Sequence, residues 1–396
     1  MKRNKVALLA LALIGSAVAA PAFAQSSVTL YGIVDGGLIY NSNQNTAAVG
    51  RTPTGHSKVG FQSGAAFGDR WGMKGSEDLG SGTTAFFDLQ NGFNLGTGAF
   101  GASNTEFNRY AFVGLGNTQY GSVSFGRQYE AITDLLESYS PDFSGGGGVY
   151  AGDLSNFDNS IRINNSVKYK TITWNGFTGE ALYGFGGVAG SMNSGSTYSV
   201  GLNYVAGPIA VGAAYLHMMN ASNSLTWAGT ATDNTGSSVL NGYSSAKSYS
   251  TANAVAAYTF NNLTVGLNYA HTTFKPSSVS VFQKEMNFNS AGLGAHYVVT
   301  PAISVNANAN WTVGTTPVGN ASERAQYGTI NASAFYNLSK RTAFYLYAGY
   351  NHAKGDTYNS LGQVVAATAN LGDAGNGQSS AGRNQTIVRI GMYNKF

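Results

Sequence analysis

The chain has 396 residues and a formal net charge of +4; it is 43% hydrophobic, 12% aromatic and 10% charged, with 53 glycines and no cysteine. The missing cysteine excludes disulfides, thiolate metal sites and cysteine nucleophiles. So little charge is unusual for a soluble surface, yet beyond residue 24 no apolar run reaches the roughly eighteen residues of a spanning helix.

The first 24 residues read as a signal peptide. Lys2, Arg3 and Lys5 are basic, Val6 to Ala20 are apolar, and Ala22-Phe23-Ala24 supplies the small-x-small cleavage signal. A lone membrane anchor is the alternative, and the short apolar stretch ending at Pro21 speaks against it. Removal leaves residues 25–396 with 19 basic and 18 acidic side chains, a net of +1. No Lys/Arg run follows residue 5, so a nucleic-acid partner is not expected.

From there the chain alternates with period two. Val28, Leu30 and Gly32 fall on one face of the first strand, and Thr29, Tyr31 and Ile33 on the other. Residues 41–57 read as a polar loop. A second strand is predicted over roughly 58–76. In it Arg70, Gly72 and Lys74 share one face and Trp71 and Met73 the other, a polar lumen side against an apolar lipid side. Residues 77–82 turn into a third strand through Phe86 to Gln90. The fourth strand holds Arg109 to Leu115, and the fifth runs from Ser122 to Arg127.

Alternation then stops from Arg127 to Arg162. A loop of this length in a compact fold usually carries function. It is acidic, with Glu130, Asp134, Glu137, Asp142, Asp153 and Asp158, while Arg70, Arg109, Arg127 and Arg162 stand in the segments around it. The expectation is a loop, residues 130–161, that folds into a barrel lumen. There its carboxylates face the arginines and narrow an aqueous pore.

Eleven further strands are predicted near 163–174, 178–186, 197–206, 209–219, 248–260, 263–274, 286–299, 302–313, 325–338, 342–353 and 384–396. Short turns such as Asn175-Gly176 and Asn261-Asn262 alternate with long polar loops near 187–196, 220–247, 275–285, 314–324 and 354–383. About sixteen strands with that asymmetry predict an all-β, antiparallel transmembrane barrel of residues 25–396. A barrel of that size leaves an aqueous channel. The alternative is a soluble all-β sandwich array or propeller, whose turns need not sort into two classes. The chain ends on the strand residue Phe396, the kind of terminal aromatic that outer-membrane assembly machinery is expected to read.

These segments resemble the trimeric general porins of Gram-negative outer membranes, in their beta-proteobacterial branch. Ser26 to Asp35, Arg70 to Gly80, Arg109 to Leu115, Asn164 to Tyr169 and Leu338 to Thr342 carry the likeness. The resemblance implies a sixteen-stranded barrel, a homotrimer, and a third external loop folded inward as an eyelet. It places Arg70, Arg109 and Arg162 at the wall arginines. Pro141-Asp142-Phe143-Ser144-Gly145 resembles the loop's Pro-Glu-Phe-Gly-Gly motif, so Asp142 takes the Glu position, and Glu137 lies one position from another acidic site. Ser144 and the run Gly145 to Gly148 depart from that pattern.

Opposed fixed charges across a narrow gap set which ions pass. Arginine suits the wall because it stays charged and presents a fork of donors. Lys74 shares a face with Arg70 and is a second candidate; Asp134 joins the acidic side, while Arg127 and Glu130 are candidates either for the pore or for anchoring the loop base. Three wall arginines against two loop carboxylates lean weakly to anions. The predicted cargo is ions and small hydrophilic solutes, and the expected surroundings are outer-membrane lipid and lipopolysaccharide.

Other motifs carry little. Gly96 to Gly101 fits G-x-G-x-x-G but opens no helix. The five histidines show no metal spacing, and Asn331-Ala332-Ser333 falls inside a strand. No cofactor or metal is expected. A substrate-selective channel is the nearest rival function. A barrel enzyme needs a nucleophile and base together, and no convincing set is present.

Overall fold

The computed structural model describes residues 27–47, 52–141, 150–221, 224–373 and 379–396. The predicted signal peptide, Asp142 and the run Gly145 to Gly148 lie outside the described residues.

Strands β1 (Ser27–Asn45), β2 (Gly55–Ser63), β3 (Arg70–Gly80), β4 (Thr83–Gly92), β5 (Tyr110–Asn117) and β6 (Gly121–Gln128) lead to the long loop. After it come β7 (Ile163–Lys170), β8 (Phe177–Gly184), β9 (Thr197–Ala206), β10 (Ile209–Met219), β11 (Ser248–Phe260) and β12 (Leu263–Lys275). The wall is completed by β13 (Met286–Thr300), β14 (Ile303–Gly314), β15 (Gln326–Asn337), β16 (Thr342–Lys354) and β19 (Asn384–Lys395), while β17 (Asp356–Tyr358) and β18 (Val364–Ala366) form a hairpin in the last long loop. Each wall strand is antiparallel to its neighbours, and β19 returns to β1 with Ile33 opposite Lys395 and Asn41 opposite Ile387. Gly32 and Phe396 exchange two backbone hydrogen bonds of 3.1 Å, so the last residue of the chain closes the seam.

The predicted strand over 58–76 is corrected here. Residues 27–33 of β1 pair with β3 and residues 36–45 with β2, so β2 and β3 form one stave broken by an excursion at 64–69. The Asp35 carboxylate holds that excursion, accepting from the N–H groups of Ala66 at 2.6 Å and Phe67 at 2.9 Å. Counted as one stave, they turn the 17-stranded sheet into a closed barrel of sixteen. The stretch 41–57 is likewise less loop than it reads, because β1 runs on to Asn45 and β2 begins at Gly55.

Period-two alternation sorts the side chains. On β16 Phe344, Leu346 and Tyr350 are exposed outward, while Ala343, Tyr345, Tyr347 and Asn351 are buried inward. Asn306, Asn308 and Asn310 of β14 also face in. That is an apolar outside and a polar inside, the pattern of a barrel standing in lipid. Among the described residues no helix is long and apolar enough to cross a membrane; the strands cross it.

The long loop enters the barrel through a short helix, α1 (Ala131–Leu135). Glu130 caps it, its carboxylate accepting from Ile132 N at 2.6 Å and Thr133 N at 3.3 Å, which satisfies orphan donors of the first turn. The sequence reading has no helix here, because five residues are too few for a periodic signal. Two inward glycines let α1 lie against the wall. A Cβ on Gly201 would stand 2.8 Å from that of Ala131, and one on Gly212 would stand 2.6 Å from Leu136 Cδ2. Further on, Leu154 O accepts from Tyr249 Oη at 2.9 Å and Thr272 Oγ1 at 3.0 Å. The loop is therefore fastened along β8 to β13 and leaves space beside β3 to β6.

Above it the other long loops share an apolar core. Tyr243 packs on Phe274, Phe282, Phe288 and Tyr358 with ring centroids 4.7 to 6.5 Å apart, and Val239, Leu240, Phe282 and Tyr358 are buried with it. Edge-to-face pairs add about 0.5–1.5 kcal/mol each beyond the buried area.

Candidate functional site

The space between the loop and β3 to β6 is a cavity of about 1170 Å³. Arg70, Arg109, Arg127 and Arg162 line one side, and Asp134, Glu137 and Asp158 come from the loop. Asp69, Asp233, Asp373 and His296 also line it. The arginines are near enough to repel, since Arg109 feels the charges of both Arg162 and Arg70, and Glu137 attracts Arg70.

Each arginine is held by its own partners. Arg70 heads β3 and donates through Nη1 to the carbonyls of Phe67 and of Gly68, the latter at 3.0 Å, so the 64–69 excursion aims it. Arg109 Nε donates to Gln90 Oε1 at 2.7 Å, and Gln90 Nε2 donates to Tyr31 Oη at 2.9 Å. Arg162 donates from Nε and Nη2 to Tyr129 Oη at 3.0 and 2.7 Å. The buried Tyr129 ring is shared: the guanidinium carbons of Arg162 and Arg109 lie 5.0 and 5.8 Å from its centroid. A ring face attracts a cation, most where water is excluded. One phenol thus holds two like charges together.

Arg127 lines the cavity and also anchors. Its Nε and Nη2 donate to Asn108 O at 2.9 and 2.6 Å, and its Nη1 donates to Asn164 Oδ1. Strict alternation from the outward Phe125 would send Arg127 outward too. A bulge turns it in: the β6–β7 register shifts between Gly126 and Gln128, and Gly126 has φ +135°. Asp134 is not a free carboxylate, since it is ion-paired with the buried Lys168, which also lies 3.9 Å from Glu180. The sequence reading missed Lys168; its place on the lumen face of β7, two residues from Lys170, is the signal that could have found it.

Glu137 opens a single 3-10 turn, and its Oε1 accepts from Asn159 Nδ2 at 2.8 Å. Lys74 is outside the cavity lining. It lies nearer the short-turn end, 5.2 Å from the Tyr31 ring centroid and opposite Asp88 of β4. Asp142, on which the loop motif centres, is outside the described residues. Two buried loop carboxyls support the site from behind. Burial pushes Glu130 up to about 7, against the pull of its N–H and Asn156 donors. It does the same to Asp153, also to about 7, with Asp373 adding a like charge and Ser160 Oγ donating to Asp153 at 2.6 Å. Tyr129, Asp373 and His296 are residues of the site that the sequence reading did not single out. Among the described residues no group of three or more His, Asp or Glu side chains could hold a metal ion.

A family model described as Gram-negative porin matches residues 7–357. An outer membrane porin protein of Bordetella pertussis is 35% identical over 55% of this chain and 60% of its own length. Outer membrane porin protein 32 of Delftia acidovorans is 29% identical over 100% of both chains. Among solved structures, an anion-selective porin from Comamonas acidovorans superposes with a TM-score of 0.69 at 24% identity, covering 94% of this chain and 100% of that one. The sixteen-stave closed barrel, the lipid-type outer face and the inward loop agree with these matches: the chain belongs to the Gram-negative porin family and forms a diffusion channel of the outer membrane.

Proposed function

We propose that this channel passes ions and small hydrophilic solutes through an eyelet whose wall is Arg70, Arg109 and Arg162 and whose loop side is Glu137, Asp158 and Asp142, with a weak preference for anions. The observation that carries the reading is the arginine cluster in a cavity of about 1170 Å³ that the loop carboxylates Glu137 and Asp158 also line. The anion lean rests on how the charges are spent. Asp134 is neutralised by Lys168, and Arg70, Arg109 and Arg162 are gathered round Tyr129. The arginines are bound mainly to neutral oxygens of Tyr129, Gln90 and backbone carbonyls, so their charge is left to the pore. The similar Comamonas protein is described as anion-selective, which agrees with this lean.

The test is the reversal potential of the full-length mature chain in a planar bilayer under a potassium chloride gradient. A sign that marks chloride as the more permeant ion is expected, shifting toward cations in Arg109→Ala. A cation-selective wild type would overturn the lean, and a folded barrel without conductance would overturn the eyelet.

Trimer formation, cleavage after Ala24 and recognition of Phe396 by assembly machinery belong to the same proposal. A Vibrio cholerae relative in fold is described in a trimer form. Unheated gel mobility and N-terminal sequencing of the exported protein test the first two.

A further inference from the structure

The outer wall holds a second concavity, away from the pore. It is a groove of about 540 Å³ lined by Val200, Leu202, Ala213, Tyr215, Ala254 and Tyr269, among others. The register explains it. Along the middle of β11 the outward residues are Ala252, Ala254 and Ala256, and Ala254 stands between Ala213 of β10 and Tyr269 of β12. Small side chains form the floor and larger ones the banks. Elsewhere on this wall a small outward residue is covered by its neighbour: Trp311 lies over Gly328, where a Cβ would come within 2.6 Å of the indole. The β11 floor has no such cover, although two tyrosines flank it.

Directly up the same strands the chemistry changes. Ser248 pairs with Lys275, and Lys247 N donates to Lys275 O at 2.7 Å, so two exposed lysines adjoin at the rim. His217 and His271 lie just below them on the outward faces of β10 and β12, His217 with its ring 5.0 Å from Tyr198 and His271 bonded to Asn289 Oδ1 at 2.9 Å. The nearby counter-charge is Glu285, 3.6 Å from Lys275 with both side chains about half exposed. Such a pair is worth little, and a phosphate can displace it. Ala252 is four steps along the strand from Ser248, about 13 Å. That is close to half the hydrocarbon thickness of a bilayer, about 15 Å.

We infer that β10 to β12 form a binding site for a phosphate-bearing acyl lipid of the leaflet at the long-loop end. One acyl chain lies in the alanine-floored groove, and the phosphate lies at Lys247 and Lys275 with the two histidines below. The charge of the rim and the apolar groove stand one above the other at the spacing of a headgroup and its chain. The inference rests on the barrel spanning a bilayer and not on the eyelet's selectivity.

Native mass spectrometry of the full mature chain in detergent tests it, with phosphatidylglycerol and phosphatidylcholine as probes at equal concentration. The chain retains phosphatidylglycerol preferentially. Lys247→Ala with Lys275→Ala lowers that retention about tenfold, and Ala254→Leu, which fills the groove and leaves the lysines, lowers it as well. Inorganic phosphate does not displace the lipid. Equal retention of both lipids, or full retention by Ala254→Leu, overturns the site. A change of oligomeric state in Ala254→Leu without loss of lipid would instead make the groove a contact between copies, and overturns it too. Bilayer conductance is the folding control, since Lys275, Ala213 and Ala254 face away from the lumen and Lys247 lies outside the cavity lining. Ala213→Leu replaces Ala254→Leu if the latter does not conduct.

Discussion

Tyr129 is one phenol serving two guanidiniums, with its hydroxyl toward Arg162 and its ring toward both Arg162 and Arg109. Tyr129→Phe keeps the ring and removes the acceptor. A hydrogen bond to a charged group contributes roughly 1.5–3 kcal/mol, so Arg162 loses its position while the loop stays seated. The expected result is a shifted reversal potential in a barrel that still folds and conducts. Glu130 carries a pH dependence of a definite sign. Its seated value of about 7 is above the unfolded carboxyl's roughly 4.3, so its support for the loop is full below the lower value and is lost as pH rises through the higher. After correction for intrinsic rates, the amides of Ile132 to Leu136 should exchange hydrogen more slowly at pH 5 than at pH 8, and Glu130→Gln should flatten the difference. Arg70, Arg109 and Arg162, which line the cavity, could be singled out because each stands at the start of a strand segment with a marked sequence. Tyr129 was not, since one aromatic among 24 tyrosines carries no mark of its partners. The pairing of Asp134 was not legible either, because its partner Lys168 lies 34 residues away on β7.

The long loop holds its course because the wall opposite makes room for it. Pro141 O would be 2.4 Å from a Cβ on Gly294 of β13, a backbone contact with no flexible end to yield. Gly294→Val should push that part of the loop toward the lumen and lower the single-channel conductance, whereas Gly207→Ala, strained by its φ of +54° but at a turn with nothing within 4 Å, should leave conductance unchanged. Strand existence was easy to read, since alternation of polar and apolar residues survives in nearly every stave. Two local features escaped it for one reason: backbone irregularities break the period without changing composition. The 64–69 excursion split the predicted second strand, and the Gly126 bulge turned Arg127 inward.

At the scale of the molecule the barrel depends on its seam. Phe396 gives β1 two backbone hydrogen bonds and lays its ring over Gly32, where a Cβ would meet it at 2.5 Å. Deleting Phe396 removes both, and the refolding yield into detergent, read by heat-modifiable gel mobility, should fall well below that of the full chain. Closure and strand number were readable because turns and loops alternate in length. The loop core was not, because Val239, Leu240, Tyr243, Phe282 and Tyr358 are scattered among polar residues and come together only in space. That shared core has an immunological consequence. The exposed surface is one composite shell, in which Tyr243 of one loop is 1% accessible beneath Phe282 and Tyr358 of two others. A synthetic peptide copying residues 227–246 would display side chains that the folded protein hides. Antisera against it should bind denatured protein well and intact cells poorly, and protective recognition should need the assembled loops.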